Sequence, residues 1–314
     1  MEQLELRTTA QAVTATGSPR SLERGADGGR LVRIRHGAYV PAEAWSDADG
    51  VERMLARVAA TRSSARHTEP VFVFESAAGL LGIPFLGAWP HRARTLVLIG
   101  GSKTNRSVER TQRDEPAGSI VVLADGVRVT SPLVTAIDLA STRTMLSGIV
   151  AFDHIRRHHG VSLEQILEEL ARRRPFPGVR RAERAARRSN PASDTPLETL
   201  VMVRADDYGF ERAKQQRVFT GINGVDYPVD FDWRDGRILG EADGKAKYQL
   251  GADERGVTPL DRMWDEKRRE DALRPTCDEF LRTNWDDAWR GAPLERSLLA
   301  ARVPRIRRPR ALTV

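Results

Sequence analysis

The sequence predicts a mixed α/β protein built in several parts. Three observations carry that expectation. Strand-like alternations interleave with helical apolar stripes, a helix–turn–helix followed by a hairpin opens the chain, and an acidic hairpin follows a capped helix near its end. The 314 residues suggest two or three domains of roughly 100–200 residues each. The expected organisation is a winged-helix domain over 1–45, an α/β domain over 46–145, a basic helical connector over 146–191, a mixed sheet flanked by helices over 192–290 and a basic tail over 291–314.

Thr8-Thr9 would cap a short helix that runs through Ala15 and ends at Gly17. Ser18-Pro19 then opens a second helix, with proline at its first position. Arg20 and Arg24 lie four apart on one face of that helix. In the following strand Val32 and Ile34 face one side and Arg33 and Arg35 the other, and His36-Gly37 turns the chain back. This is the outline of a winged helix, whose second helix enters a major groove while the hairpin touches the backbone. Arg20, Arg24, Arg33 and Arg35 are therefore candidate nucleic-acid contacts. The alternative is a small basic cap on the next domain.

Val51, Met54, Leu55 and Val58 stand at helical spacing and read as core. Val71–Phe74 and Thr95–Ile99 read as buried strands, and Ser131-Pro132 as the cap of a helix through Leu139. Gly100 to Thr104 has no glycine five residues before its Gly-Ser-Lys-Thr, so it is a polar turn and not a phosphate loop. His154 and His158 have the spacing of two helix-borne metal ligands, but no third ligand is near, and they suit the negative end of a helix dipole better. Ser162 and Gln165 outline a capping box, and the arginine-dense run that follows is either a solvated helix or a phosphate-tracking element.

The last domain opens on Thr195 as an N-cap, Pro196 at the first helical position and Glu198 at the third. Glu198 is either half of a capping box or an acid aimed at a site; the residues alone leave both open. Asp235-Gly236 then signals a two-residue hairpin turn, because a type I′ turn needs positive φ at both central positions. That register sets Asp230 opposite Glu241, with Asp232 on the face of Asp230 and Asp243 on the face of Glu241. Opposed carboxylates repel, and a divalent cation held by oxygen ligands is a common remedy. Asp230 and Glu241 are the metal candidates, and Lys245 or Lys247 could orient a metal-bound water.

Composition agrees. A net charge of +7 with 30% charged residues favours anionic partners, nucleic acid first. The single cysteine, Cys277, excludes an internal disulfide and a cysteine zinc site, which fits a reducing cytoplasm. The opening MEQLELRTTAQ lacks the features of a signal peptide, and the apolar run from Val71 to Trp89 is too broken to span a membrane.

At this point the pattern resembles known families. An Asp on one strand, Glu-x-(basic) on the next and a Glu on the preceding helix resembles the PD-(D/E)XK nuclease superfamily. TPLETL, VDFDW, GEADGKAKY, WDEKRREDALR and NWDDAW together resemble its very-short-patch-repair-like endonuclease domains. Upstream, GGRLVRIRHGAYVP, ESAAGLLGIP and VTSPLVTAIDLA resemble proteins with an AbiEi-type antitoxin winged-helix domain. The resemblance implies a restriction-endonuclease-like mixed sheet, Mg²⁺ or Mn²⁺ held by Asp230 and Glu241, Glu198 as the helix acid, and phosphate contacts by Arg268 and Arg269. It also implies DNA as the main partner, with a toxin as a possible second. The chain departs where the superfamily lysine should stand: Asp243 occupies that position, and Lys245 or Lys247 would have to substitute.

Overall fold

The structure is a computed structural model that describes residues 4–16, 18–65, 69–97, 107–244 and 259–310. The fold is mixed α/β, as expected. Lys245, Lys247 and the polar turn at 100–104 lie outside the described residues. By compactness the chain divides into two units, residues 1–143 with 164–183, and residues 144–163 with 184–314. No helix among the described residues is long and apolar enough to cross a membrane.

The first unit begins with β1 (Arg7–Thr8), α1 (Thr9–Thr16), α2 (Arg20–Asp27), β2 (Leu31–Arg35) and β3 (Ala38–Pro41). The helix–turn–helix and the hairpin turning at His36-Gly37 are present, and β1 adds a third antiparallel strand in the order β1-β3-β2. Leu22, Leu31 and Tyr39 form its core. A Cβ at Gly25 would come 2.8 Å from Leu31 Cδ1, so glycine lets α2 approach the hairpin closely.

After α3 (Ala42–Asp47) comes α4 (Gly50–Ser63), opened by a capping box in which Asp49 and Glu52 bond each other's backbone N–H groups, both at 2.8 Å. Met54 and Val58 enter the core, as the helical stripe predicts. That core packs on a five-stranded mixed sheet of order β6-β5-β4-β8-β7. Its strands are β4 (Val71–Phe72), β5 (Ala93–Val97), β6 (Val108–Gln112), β7 (Ile120–Val122) and β8 (Arg128–Thr130). The strand expected over Val71–Phe74 stops at Phe72, because Phe74 turns to φ +53° and starts α5 (Phe74–Leu81). Ser131 caps α6 (Pro132–Thr142) as expected, its hydroxyl accepting from the Val134 N–H.

Residues 146–191 do not form one connector. α7 (Met145–His158) belongs to the second unit, α8 (Leu163–Arg172) to the first, and α9 (Val179–Arg188) passes from the first into the second. Burial explains why: Ile149 and Phe152 on α7, Ile166 and Leu170 on α8, and Ala182, Ala185 and Ala186 on α9 are all core. The arginines follow suit. Arg173 binds Glu115, and Arg188 binds Asp206 and Asp207, so much of the basic run serves internal pairing.

The second unit holds a four-stranded sheet of order β12-β11-β10-β9. β9 (Lys214–Thr220), β10 (Asp226–Trp233) and β11 (Ile238–Asp243) run antiparallel, and β12 (Glu279–Asn284) lies parallel to β11. α10 (Pro196–Asp207) precedes the sheet, and α11 (Pro259–Leu273) leads into β12. Val229, Leu239, Leu273 and Phe280 form one core cluster, and Trp233 is buried with its indole N–H on the Glu211 carbonyl at 3.0 Å.

Residues 291–310 of the expected basic tail are a packed part of this unit. α12 (Trp285–Arg290) leads to α13 (Ala292–Ala300), which buries Leu294 and Leu298. The chain beyond is bonded back: Ile306 N–H donates to the Gly209 carbonyl at 2.9 Å and Arg310 N–H to the Asp207 carbonyl at 2.7 Å. Leucines four apart on a helix bury together, which a charged tail would not do.

Candidate functional site

The site is built on β10, β11 and the first turn of α10. The hairpin turn spans four residues, Arg234 to Arg237, and not two. Arg234, Asp235 and Gly236 all take left-handed φ of 58°, 53° and 88°. The Asp232 carboxylate holds the turn by accepting the Gly236 N–H at 2.6 Å. The register is unaffected, because both turns centre on Asp235-Gly236. Phe231 pairs with Gly240, which sets Asp230 one step on, across from Glu241.

Asp230 and Asp232 take different partners. Asp232 is buried, pairs with Arg217 at 2.8 Å and serves the turn. Asp230 instead accepts the Ala242 N–H at 2.8 Å and the Gln216 amide at 3.2 Å. Gln216 stands across from Asp230 on β9. Its φ of +55° interrupts the ladder, which pairs Val229 with Arg217 and Phe231 with Gln215 but skips the pair between. A left-handed non-glycine residue costs about 1–3 kcal/mol, and such strain concentrates at functional sites.

Gln216 Nε2 also donates to Glu198 Oε2 at 3.0 Å, so one amide bridges Glu198 and Asp230. Glu198 also bonds the start of its own helix. Its N–H donates to Thr195 Oγ1 at 3.2 Å, Thr195 donates back to Oε1 at 2.9 Å, and Oε2 accepts the Asp194 N–H at 2.9 Å. The same carboxylate lies within the field of Asp230. Burial, and then the Asp230 charge, hold its pKa above the ordinary carboxylate value against the hydrogen bonds that lower it.

On β11, Glu241 is 7% exposed, and its Oε1 lies 2.8 Å from a terminal nitrogen of Arg269 on α11. Arg269 also donates to the Pro228 carbonyl, while its Nε is buried with no hydrogen-bond partner among the described residues. Arg268 behaves differently: it is 72% exposed and pairs with Asp265 at 2.8 Å. Of the two expected phosphate contacts, only Arg269 belongs to the acidic site.

Asp243 is committed elsewhere. It grips Arg282 of β12 through both oxygens, at 2.7 and 2.5 Å. Arg282 also binds Glu270 at 2.7 Å, and these partners, Asp243 first, push its pKa up. Asp243 thus neutralises an arginine. Sequence reading missed Gln216 and Arg282 altogether; neither carries a local signal.

Glu198, Asp230 and Glu241 offer only carboxylate oxygens, the donor set that suits Mg²⁺ or Mn²⁺. Among the described residues no three His, Cys, Asp or Glu side chains form a ready metal cage.

On the N-terminal helix–turn–helix, Arg20 and Arg24 are exposed as expected. Arg33 is exposed and reaches His36 at 2.5 Å. Arg35 is half-buried and donates to Thr61 at 3.1 Å; burial, then Arg110, lower its pKa. A register shift between Arg33 and Arg35 breaks the expected alternation. Arg35 is therefore tied to α4.

No protein-family model matches the chain, and no curated protein matches it.

Proposed function

We propose that the second unit carries a metal-dependent phosphodiesterase site that cuts or nicks DNA, and that the N-terminal helix–turn–helix and hairpin bind duplex DNA. The observation that carries this reading is the bridge of Gln216 between Glu198 and Asp230, with Glu241 and its cation Arg269 on the neighbouring strand and helix. Asp230 and Glu241 would hold Mg²⁺ or Mn²⁺. A metal bound there lowers the pKa of a water and stabilises charge on the phosphate. Glu198, its pKa raised, would accept a proton nearby. Arg269, anchored on Pro228 and Glu241, would set its positive charge beside the phosphate.

The test is cleavage of supercoiled plasmid with Mg²⁺ or Mn²⁺ by the wild type, Asp230→Ala and Glu241→Ala. Both variants should cut at least about 100-fold more slowly, the scale on which losing a charge-stabilising group acts. Equal cutting by all three overturns the reading.

A second reading is a non-enzymatic regulator, such as a self-repressing antitoxin with a toxin partner. The Asp243–Arg282 pair at the lysine position favours it. It requires sequence-specific, salt-dependent duplex binding with no cleavage under any metal. In either reading Arg20→Ala with Arg24→Ala should weaken duplex binding, with a salt slope shallower by up to about 2. Unchanged affinity and slope would remove α2 from the interface.

A further inference from the structure

The first unit contains a cavity of about 530 Å³ between the end of β6, the C-terminal half of α6 and the chain after α8. This volume falls in the range of about 300–1,000 Å³ typical of small-molecule sites. Phe74, Ile137 and Phe176 form an apolar wall, and Arg113, Arg172 and Arg173 a cationic one. Asp114 and Asp138 are the acids in the lining, while Glu115 and Glu169, which also pair with these arginines, are not part of it.

Two of the arginines are fixed in place. Arg113 is gripped by both oxygens of Asp138, at 2.5 and 2.7 Å, with Glu115 beside it. Arg173 is held by Glu115 at 2.7 Å, Glu169 at 2.5 Å and Ser119 Oγ at 3.0 Å. Ordering such side chains costs about 0.5–1.5 kcal/mol each when a ligand must do it, and here the fold has already done it. Arg172 differs, with its side chain 47% exposed and paired to Glu169.

Phe74 is the second independent sign. A bulky residue at φ +53° costs about 1–3 kcal/mol, a strain that clusters at ligand clamps. Its ring is flanked by the guanidiniums of Arg94 at 4.7 Å and Arg113 at 5.4 Å, which hold it as part of the wall.

We propose that this cavity binds a small planar aromatic monoanion. The ring packs against Phe74, Phe176 and Ile137, and the acidic group meets the arginine side. The acidic site of the second unit takes no part in this binding.

The probe is 8-anilino-1-naphthalenesulfonate, titrated by fluorescence into the full chain at neutral pH. One equivalent should bind with a dissociation constant on the order of 10 µM. Thr142, exposed at the rim, is replaced by tryptophan (Thr142→Trp) to block the space, and affinity should fall at least about tenfold. Arg172→Ala should weaken binding about threefold or more, the scale of a partly exposed charge pair. The neutral analogue N-phenyl-1-naphthylamine should bind at least about tenfold more weakly, since it lacks a charge for the arginines. Near-ultraviolet circular dichroism checks that each variant keeps its packing, and Arg172→Ala carries the test if Thr142→Trp does not fold. Absence of a stoichiometric site, affinity unaltered by Arg172→Ala, or equal binding of the neutral analogue would each overturn the proposal.

Discussion

Asp243→Lys destabilises the second unit by about 3–5 kcal/mol and brings no gain in plasmid cutting, although it supplies the lysine that the proposed nuclease reading would want two residues after Glu241. The reason is Arg282. Asp243 binds it through both oxygens, and Glu270 holds its remaining terminal nitrogen. The pair is partly buried, with side-chain exposures of 30% and 24%. Removing one partner of such a pair leaves a desolvated charge, and a lysine there adds a like charge beside the guanidinium. Asp243→Asn keeps one acceptor and adds no cation, so it should cost only about 1–2 kcal/mol. Urea midpoints of the three proteins at pH 7 give the comparison. A lysine variant as stable as wild type, or one that cuts faster, would show that Asp243 is a displaced catalytic position and not a structural anchor. Glu270 adds a pH signature. Its pKa is held below the ordinary value by Arg274 first and then Arg282. A lowered carboxylate pKa contributes stability that is present above the unfolded value and is lost as the pH falls through the folded one. The cluster therefore weakens below about pH 4.5.

How much of this was legible in the sequence depends on the range of the interaction. The hairpin register was legible because turn chemistry is local: Asp235-Gly236 centres the turn whether two or four residues form it. The capping of α10 by Thr195 was legible for the same reason. The break in the β9–β10 ladder was not, because it comes from one left-handed residue, Gln216, and glutamine carries no signal for positive φ. Arg282 lies 39 residues from Asp243, and nothing in either local pattern announces the pair. Two other departures had readable signals. Ala182, Ala185 and Ala186 form a small buried stripe inside an arginine-rich helix, and Leu294 and Leu298 stand four apart in what charge alone suggested was a tail. In both places periodicity, not composition, decides the packing. Arg268 and Arg269 look alike in the sequence, and only the structure separates them, by setting Arg269 on Glu241.

Asp153→Asn stabilises the second unit at pH 8 and does little at pH 4. Asp153 is 3% exposed on α7. Its Oδ1 accepts the Asn190 N–H at 2.6 Å and its Oδ2 the Thr199 hydroxyl at 2.7 Å. Burial pushes its pKa up to about 7 from 3.8, a rise that these two bonds and Arg156 only partly oppose. The sign follows from proton counting. Between about pH 4 and pH 7 the folded chain holds a proton on Asp153 that the unfolded chain has released. Stability therefore falls as the pH rises through that window, and the full cost is present above pH 7. At 1.36 kcal/mol per pKa unit the difference is on the order of 4 kcal/mol. Asparagine is neutral at every pH, and its oxygen can keep the Asn190 bond while the Thr199 hydroxyl turns to accept from the new amide. Urea unfolding followed by circular dichroism at pH 4, 5.5, 7 and 8 should show the variant's advantage growing from near zero to several kcal/mol. A variant less stable than wild type at pH 8 would mean that the carboxylate is ionised and worth keeping. The outcome bears on the acidic site, because Thr199 follows Glu198 in the first turns of α10. Asp153 fixes, from the α7 side, the helix end that presents Glu198 to Gln216 and Asp230.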